Sequence, residues 1–132
     1  MTDGVQLLRD ARTIAVVGAS PDPARESHGV MRYLLAQGYR CIPVRHDGAE
    51  VLGVASVRSL HEIGERVDLV DVFRRPEYCA AHAQEAVDAG AKALWLQLGI
   101  VSPEARAIAE RAGLAYVEDA CTAVVHAQGL RI

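Results

Sequence analysis

Lysine is almost missing from this chain: Lys92 stands alone against thirteen arginines. Coding bias alone accounts for such an excess, so the arginines carry functional meaning only through their positions. With 17 acidic against 14 basic residues the net charge is −3, which disfavours a generic nucleic-acid binder. Cysteine is scarce too. Cys41, Cys79 and Cys121 are odd in number, widely spaced and without a CxxC pair. Free thiols in a reducing compartment are expected, and a disulfide framework is not. His28, His46, His61, His82 and His126 show no metal-ligand spacing, so no metal is expected. No apolar run approaches the roughly 20 residues that span a bilayer. Residues Met1–Arg12 are polar and carry acids, unlike a signal or transit peptide. The expected location is the cytoplasm, away from membranes.

What is present suits one domain over residues 1–132. The chain is long enough for a real core, and at 51% apolar and 23% charged its composition is that of a globular protein. Three segments share one punctuation, a helical pattern, a glycine, then an apolar strand. They are Leu34–Gly38 into Tyr39–Val44, Ala86–Gly90 into Ala91–Leu96, and Ala109–Gly113 into Leu114–Val117. A glycine just past a helix supplies the left-handed residue that closes its end. Ser27 is placed to cap a helix over Val30–Leu35, Pro76 suits a first helical position, and Ser102-Pro103-Glu104 combines cap, proline and early acid. With strands at Thr13–Val17 and Leu69–Phe73, about five strands alternate with helices. Val51–Leu60 reads as a surface loop, with a short strand at Val51–Val54 and a short helix near Ser59–Ile63. A last helix starts near Thr122. The pattern specifies an α/β, Rossmann-like three-layer domain with a mostly parallel sheet and right-handed crossovers.

The run Thr13–Ser27 (TIAVVGASPDPARES) is the most informative stretch. Its β-branched apolar residues suit a strand covered on both faces. Gly18 permits a sharp turn, and the helix that follows offers free N–H groups to an anion. Ala19, Ser20 and Pro21 stand where a dinucleotide fingerprint has further glycines, which favours a phosphate site and weakens an NAD reading. Ligands of such sheets sit outside the carboxyl ends of the strands. That edge holds Gly18-Ala19-Ser20, Val44-Arg45-His46, Phe73-Arg74-Arg75-Pro76, Gln97-Leu98-Gly99 and Glu118-Asp119. Arg25, Arg45, Arg74 and Arg75 gather there, and the guanidinium fork matches phosphate. The second strand ends in Arg45-His46 where an NAD site has a carboxylate, and Asp47 lies further into the loop. A phosphorylated ribose is favoured, as in NADP or coenzyme A. Pro43 is expected to interrupt that strand near its end. His28 is either a phosphate donor or a solvated first-turn residue.

The segments IAVVGAS-PDPARESHGVMRYLLAQGYRCIPV, VDLVDVFRRPE, GAKALWLQLGI and VEDACTAVVHAQ, in this order, resemble the small stand-alone CoA-binding domain proteins. These are related to the CoA-binding domain of succinyl-CoA synthetase alpha subunits. The similarity runs from about Ala11 to Leu130. It implies a Rossmann-like fold with coenzyme A or an acyl-CoA across the strand ends. Gly18, Ala19, Ser20 and Arg25 would hold the diphosphate, and Arg45 and His46 would lie near the ribose 3′-phosphate. Phe73, Arg74 and Pro76 would lie near the adenine, and Gln97 and Gly99 along the pantetheine. The chain departs from the family where Asn-Pro is common after the second strand, here Arg45-His46. It also reads Asp119-Ala120-Cys121 where Asp-Arg-Cys is common, and Val125 where an acid precedes the terminal histidine.

Asp119, Cys121 and His126 suggest a Cys–His pair, but a five-residue spacing does not share one helix face. Structural roles are expected for them, and core roles for Trp95 and Leu96. Succinyl-CoA synthetases act through a phosphohistidine from a domain beyond the CoA-binding one. The resemblance therefore implies binding without that chemistry. The expected ligand is a small molecule; a homodimer or another protein partner stays open. The alternative function is an NADP-dependent oxidoreductase or accessory nucleotide-binding domain on the same fold.

Overall fold

The computed structural model describes residues 3–130. Five parallel strands form one sheet in the order β2-β1-β3-β4-β5. They are β1 (Thr13–Val17), β2 (Arg40–Val44), β3 (Leu69–Val72), β4 (Ala93–Leu96) and β5 (Ala115–Val117). Helices α1 (Gly4–Asp10), α2 (Glu26–Ala36), α3 (Pro76–Asp88), α4 (Pro103–Arg111) and α5 (Thr122–Gly129) cover it. The chain first builds outward from β1 to β2, then returns past β1 to β3 and continues the other way. The switch point therefore lies between β1 and β3, where open α/β sheets bind ligands.

Alternation along the strands divides the core into two layers. Ala15, Val17, Val70, Val72, Leu94 and Leu96 face Cys79, Ala83 and Ala86 of α3 and Ala105 and Ala109 of α4. Ile14, Val16, Leu69, Ala93 and Trp95 face Leu8 of α1 and Val30, Met31 and Leu34 of α2, with α5 packed alongside. Small side chains, four of them alanines, make the α3 and α4 contribution to the first layer. Helices α2, α3 and α4 end alike. Tyr39, Ala91 and Leu114 donate their N–H groups back to Leu34, Ala86 and Ala109 across Gly38, Gly90 and Gly113, closing the helices as their punctuation implied.

Four details differ from the sequence reading. Helix α1 was not expected; Asp3 caps it by accepting from the Val5 and Gln6 N–H groups, and Leu8 is fully buried. Helix α2 begins at Glu26 with Arg25 in the cap position, so Ser27 lies inside the first turn and is no cap. The loop before α2 is organised instead by Ser20 Oγ accepting from the Asp22 N–H and Asp22 Oδ1 accepting from the Ala24 N–H. Pro43 does not interrupt β2, which pairs with β1 through Val44. β2 is the edge strand, and the Pro43 carbonyl accepts from Val57 on its outer side, so the missing donor faces away from β1. After β2 a single Val51–Val54 bridge replaces the expected short strand, Val57 bridges back to Val44, and the expected short helix is a 3₁₀ turn at Leu60–Glu62. Among the described residues no helix is long and apolar enough to cross a membrane, and no His, Cys, Asp or Glu cluster could hold a metal.

Candidate functional site

A cleft of about 740 Å³ opens over the carboxyl ends of β1, β3 and β4. Its tightest point is the turn after β1. Gly18 has φ +86°, and a Cβ there would stand 2.6 Å from the Phe73 carbonyl oxygen. Two turns that leave the sheet on opposite faces thus pass in contact at the switch point, and only glycine fits between them.

Nine of the twelve sequence-predicted site residues line this cleft: Gly18, Ser20, Arg25, Arg45, Phe73, Arg74, Pro76, Gln97 and Gly99. Arg75, placed at the same edge by the strand-end argument, joins them. Three do not. Ala19 is turned into the core. His28 is buried, its Nδ1 bonded to the Ser20 carbonyl at 3.0 Å. His46 is exposed outside the lining, and its carbonyl accepts from Arg58 at 2.6 Å. Pro21, Asp22, Glu26, Ser27 and Ile100 also line the cleft and were not singled out. Their sequence signal was adjacency to Ser20, Arg25 and Gly99.

Four arginines and two carboxylates, Asp22 and Glu26, stand around the opening. Arg25, Arg74 and Arg75 form no salt bridge with a described residue. The Arg74 and Arg75 guanidinium carbons lie 4.7 and 5.5 Å from the Tyr78 ring centroid, stacked rather than ion-paired. Arg45 differs from these three. It holds Asp47 through Nε–Oδ1 at 2.9 Å and Nη2–Oδ2 at 2.8 Å, and donates from Nη1 to the Ala19 carbonyl at 2.5 Å. Hydrogen bonds from Arg45, then from the Ala49 N–H, hold the Asp47 carboxyl far below its ordinary range.

The cleft floor is polar. Gln97 follows β4, is 2% exposed, and binds Asp71 and Thr122 through Nε2, while its buried Oε1 has no partner among the described residues. On the β4 side the Gly99 N–H donates to Asp119 Oδ1 at 2.7 Å, and the Asp119 N–H donates back to the Ile100 carbonyl. Asp119 adopts φ 54° to do so. His126 lies against Tyr33, Nδ1 to hydroxyl at 2.9 Å, and Cys121 sits at the cap of α5. Asp119 and His126 thus have different partners among the described residues.

A family profile described as a CoA binding domain matches residues 12–127. The chain belongs to this family. The Bacillus subtilis protein YneT is 39% identical to it over 122 residues, covering 92% of this chain and 90% of YneT. A solved hypothetical protein from Pyrococcus horikoshii OT3 superposes with a TM-score of 0.94 at 36% identity, covering 97% of this chain and 90% of that one. The Thermus thermophilus protein solved as cell-free ID.343 gives 0.89 at 42% identity, covering 93% of both chains.

The residues of this CoA-binding domain fit such a ligand on three structural grounds. The glycine turn lets the β1 and β3 loops meet, so both contribute to one cleft wall. Three arginines at the mouth carry charge that no described carboxylate neutralises through an ion pair. The first turn of α2 brings Glu26 and Ser27 to the same wall, where a helix N-terminus offers unpaired N–H groups to an anion.

Proposed function

We propose that this protein binds coenzyme A or an acyl-CoA in the switch-point cleft and carries it without transforming it. The observation that carries this reading is the convergence on one opening of a helix N-terminus, a glycine turn and three arginines that form no ion pair with a described residue. The backbone of Gly18, Ala19 and Ser20 takes the diphosphate together with Arg25. Phe73, Arg74 and Pro76 take the adenine end, where an apolar ring and a guanidinium plane both suit a base. Gln97 and Gly99 line the pantetheine arm. Arg45 and His46 follow β2 at the edge nearest the ribose 3′-phosphate, with the Arg45 fork already held by Asp47. Coenzyme A supplies a thiol that carries acyl groups as thioesters, and this chain contributes orientation and charge neutralisation. Family membership supports coenzyme A over NADP, as does the lack of a second and third glycine after Gly18.

Thermal unfolding with coenzyme A, dephospho-CoA, NADP and NAD in parallel tests the reading. Coenzyme A at a hundred times its Kd adds about 2.7 kcal/mol of stability. It is expected to exceed dephospho-CoA, because a further dianion enters an arginine-rich mouth. Stabilisation by NADP without stabilisation by coenzyme A would replace this function with the nicotinamide one.

A further inference from the structure

We infer that Arg45, His28 and Asp47 are positioning residues of the phosphate loop and that none of them contacts a phosphate. The inference rests on the CoA reading for its ligand, but its geometry stands in the protein alone. Two consecutive carbonyls of the loop are tied down by side chains: Ala19 by Arg45 Nη1 at 2.5 Å and Ser20 by His28 Nδ1 at 3.0 Å. In a trans peptide the C=O of one residue and the N–H of the next point in opposite directions. Fastening the Ala19 carbonyl toward Arg45 therefore turns the Ser20 N–H away from that guanidinium. No described residue accepts a hydrogen bond from that N–H. It is a donor held ready for an anion. The Ser20 carbonyl precedes Pro21, which has no N–H, so the His28 bond fixes the path of the chain into α2.

Neither side chain is well presented to a phosphate. A carbonyl only accepts, so His28 Nδ1 carries the hydrogen and spends it on Ser20, and the ring is buried outside the cleft lining. Arg45 has both sides of its fork on Asp47, whose Oδ1 is itself fixed by the Ala49 N–H at 3.0 Å. A phosphate seeking that fork must displace a preorganised carboxylate. Arg25, Arg74 and Arg75 carry no such partner and are the groups left to meet the charge. Asp47 thus serves an anion site by adding negative charge next to it.

That reversal of sign makes the test decisive. Asp47→Asn removes a negative charge and frees the Arg45 fork. If Arg45 were a phosphate ligand, coenzyme A would bind this variant more tightly. The brace instead predicts that calorimetric titration finds coenzyme A and dephospho-CoA both weakened, about five- to tenfold and by the same factor. Arg45→Lys, which keeps the charge and loses the fork, should do likewise, and Asp47→Glu should restore much of the loss. Tighter binding by Asp47→Asn, or an Arg45→Lys loss confined to coenzyme A, overturns the inference. A second readout needs no ligand: the Ser20 amide signal in ¹H–¹⁵N spectra shifts in both Asp47→Asn and Arg45→Lys. An unmoved Ser20 signal overturns the brace. Wild-type protein that binds no coenzyme A overturns the proposed function and leaves this spectral test to decide the brace.

Discussion

Gln97 Nε2 lies 2.6 Å from Asp71 Oδ1, and this contact ties the floor of the cleft to the middle of the sheet. Thr122 completes the arrangement, accepting from Gln97 at 2.9 Å and donating to Asp71 Oδ2 at 3.0 Å. Each hydrogen has one direction. The threonine proton goes to the carboxylate, so its oxygen accepts from the amide, and the amide must present nitrogen to both. Gln97 Oε1 is the group left over. Asp71 is fully buried on β3, and that burial pushes its carboxyl up to about 7 although Gln97 and Thr122 favour the charged form.

Stability should therefore fall as pH rises across the Asp71 window. Below its ordinary value of 3.8 folded and unfolded chains both hold the proton, and above about 7 neither does. Between them only the folded chain holds it, so this group's contribution declines by about 1.4 kcal/mol per pH unit. Urea unfolding from pH 4.5 to 8 measures the slope, and Asp71→Asn should flatten it. A variant that keeps the wild-type slope contradicts the assignment.

Gln97→Leu removes one of the two side-chain donors that Asp71 has. Leaving a buried carboxylate underbonded costs about 1–3 kcal/mol. The loss should be full at pH 8 and smaller at pH 5, where Asp71 is protonated. Equal losses at both pH values would mean that packing, not the hydrogen bond, is what the glutamine supplies.

Gly18→Ala should destabilise by more than about 2 kcal/mol, because a left-handed φ and a 2.6 Å clash with backbone act together. Gly29→Ala is the matched control. It lies in α2 with nothing within 4 Å of an added Cβ, and should gain about 0.5–1 kcal/mol from helix propensity. Denaturant midpoints moving in the same direction for both would refute the reading of the turn.

Leu8→Ala should cost about 2–5 kcal/mol, the range for a fully buried leucine. A loss below about 1 kcal/mol would show α1 to be dispensable to the core. Helix α1 was also illegible in the sequence, for a physical reason. Its seven residues bury only Leu8 completely, which is too little periodicity to recognise.

Other elements divide along the same line. The three helix–glycine–strand junctions were readable because their chemistry is local, and so were the β1, β3 and β4 ends at the cleft, whereas the β5 end Glu118-Asp119 lies outside its lining. Pro43 was misjudged because its effect depends on β2 being an edge, a fact of topology. The fork of Arg45 on Asp47 and its hold on Ala19 could not be read from the sequence, because both exist only after folding. Asp71 did leave a signal, a carboxylate inside the apolar run Leu69–Val72, and its partners Gln97 and Thr122 lie 26 and 51 residues away.

Amide chemical-shift mapping with coenzyme A tests most directly whether the switch-point cleft is the binding site. Expected are shifts confined to Gly18–Ser20, the first turn of α2, Phe73–Arg75 and Gln97–Ile100, saturating at one ligand per chain. A spectrum that stays unchanged, or one whose shifts gather around Arg9, Arg12 and Tyr39 at the opposite end of the sheet, would contradict it.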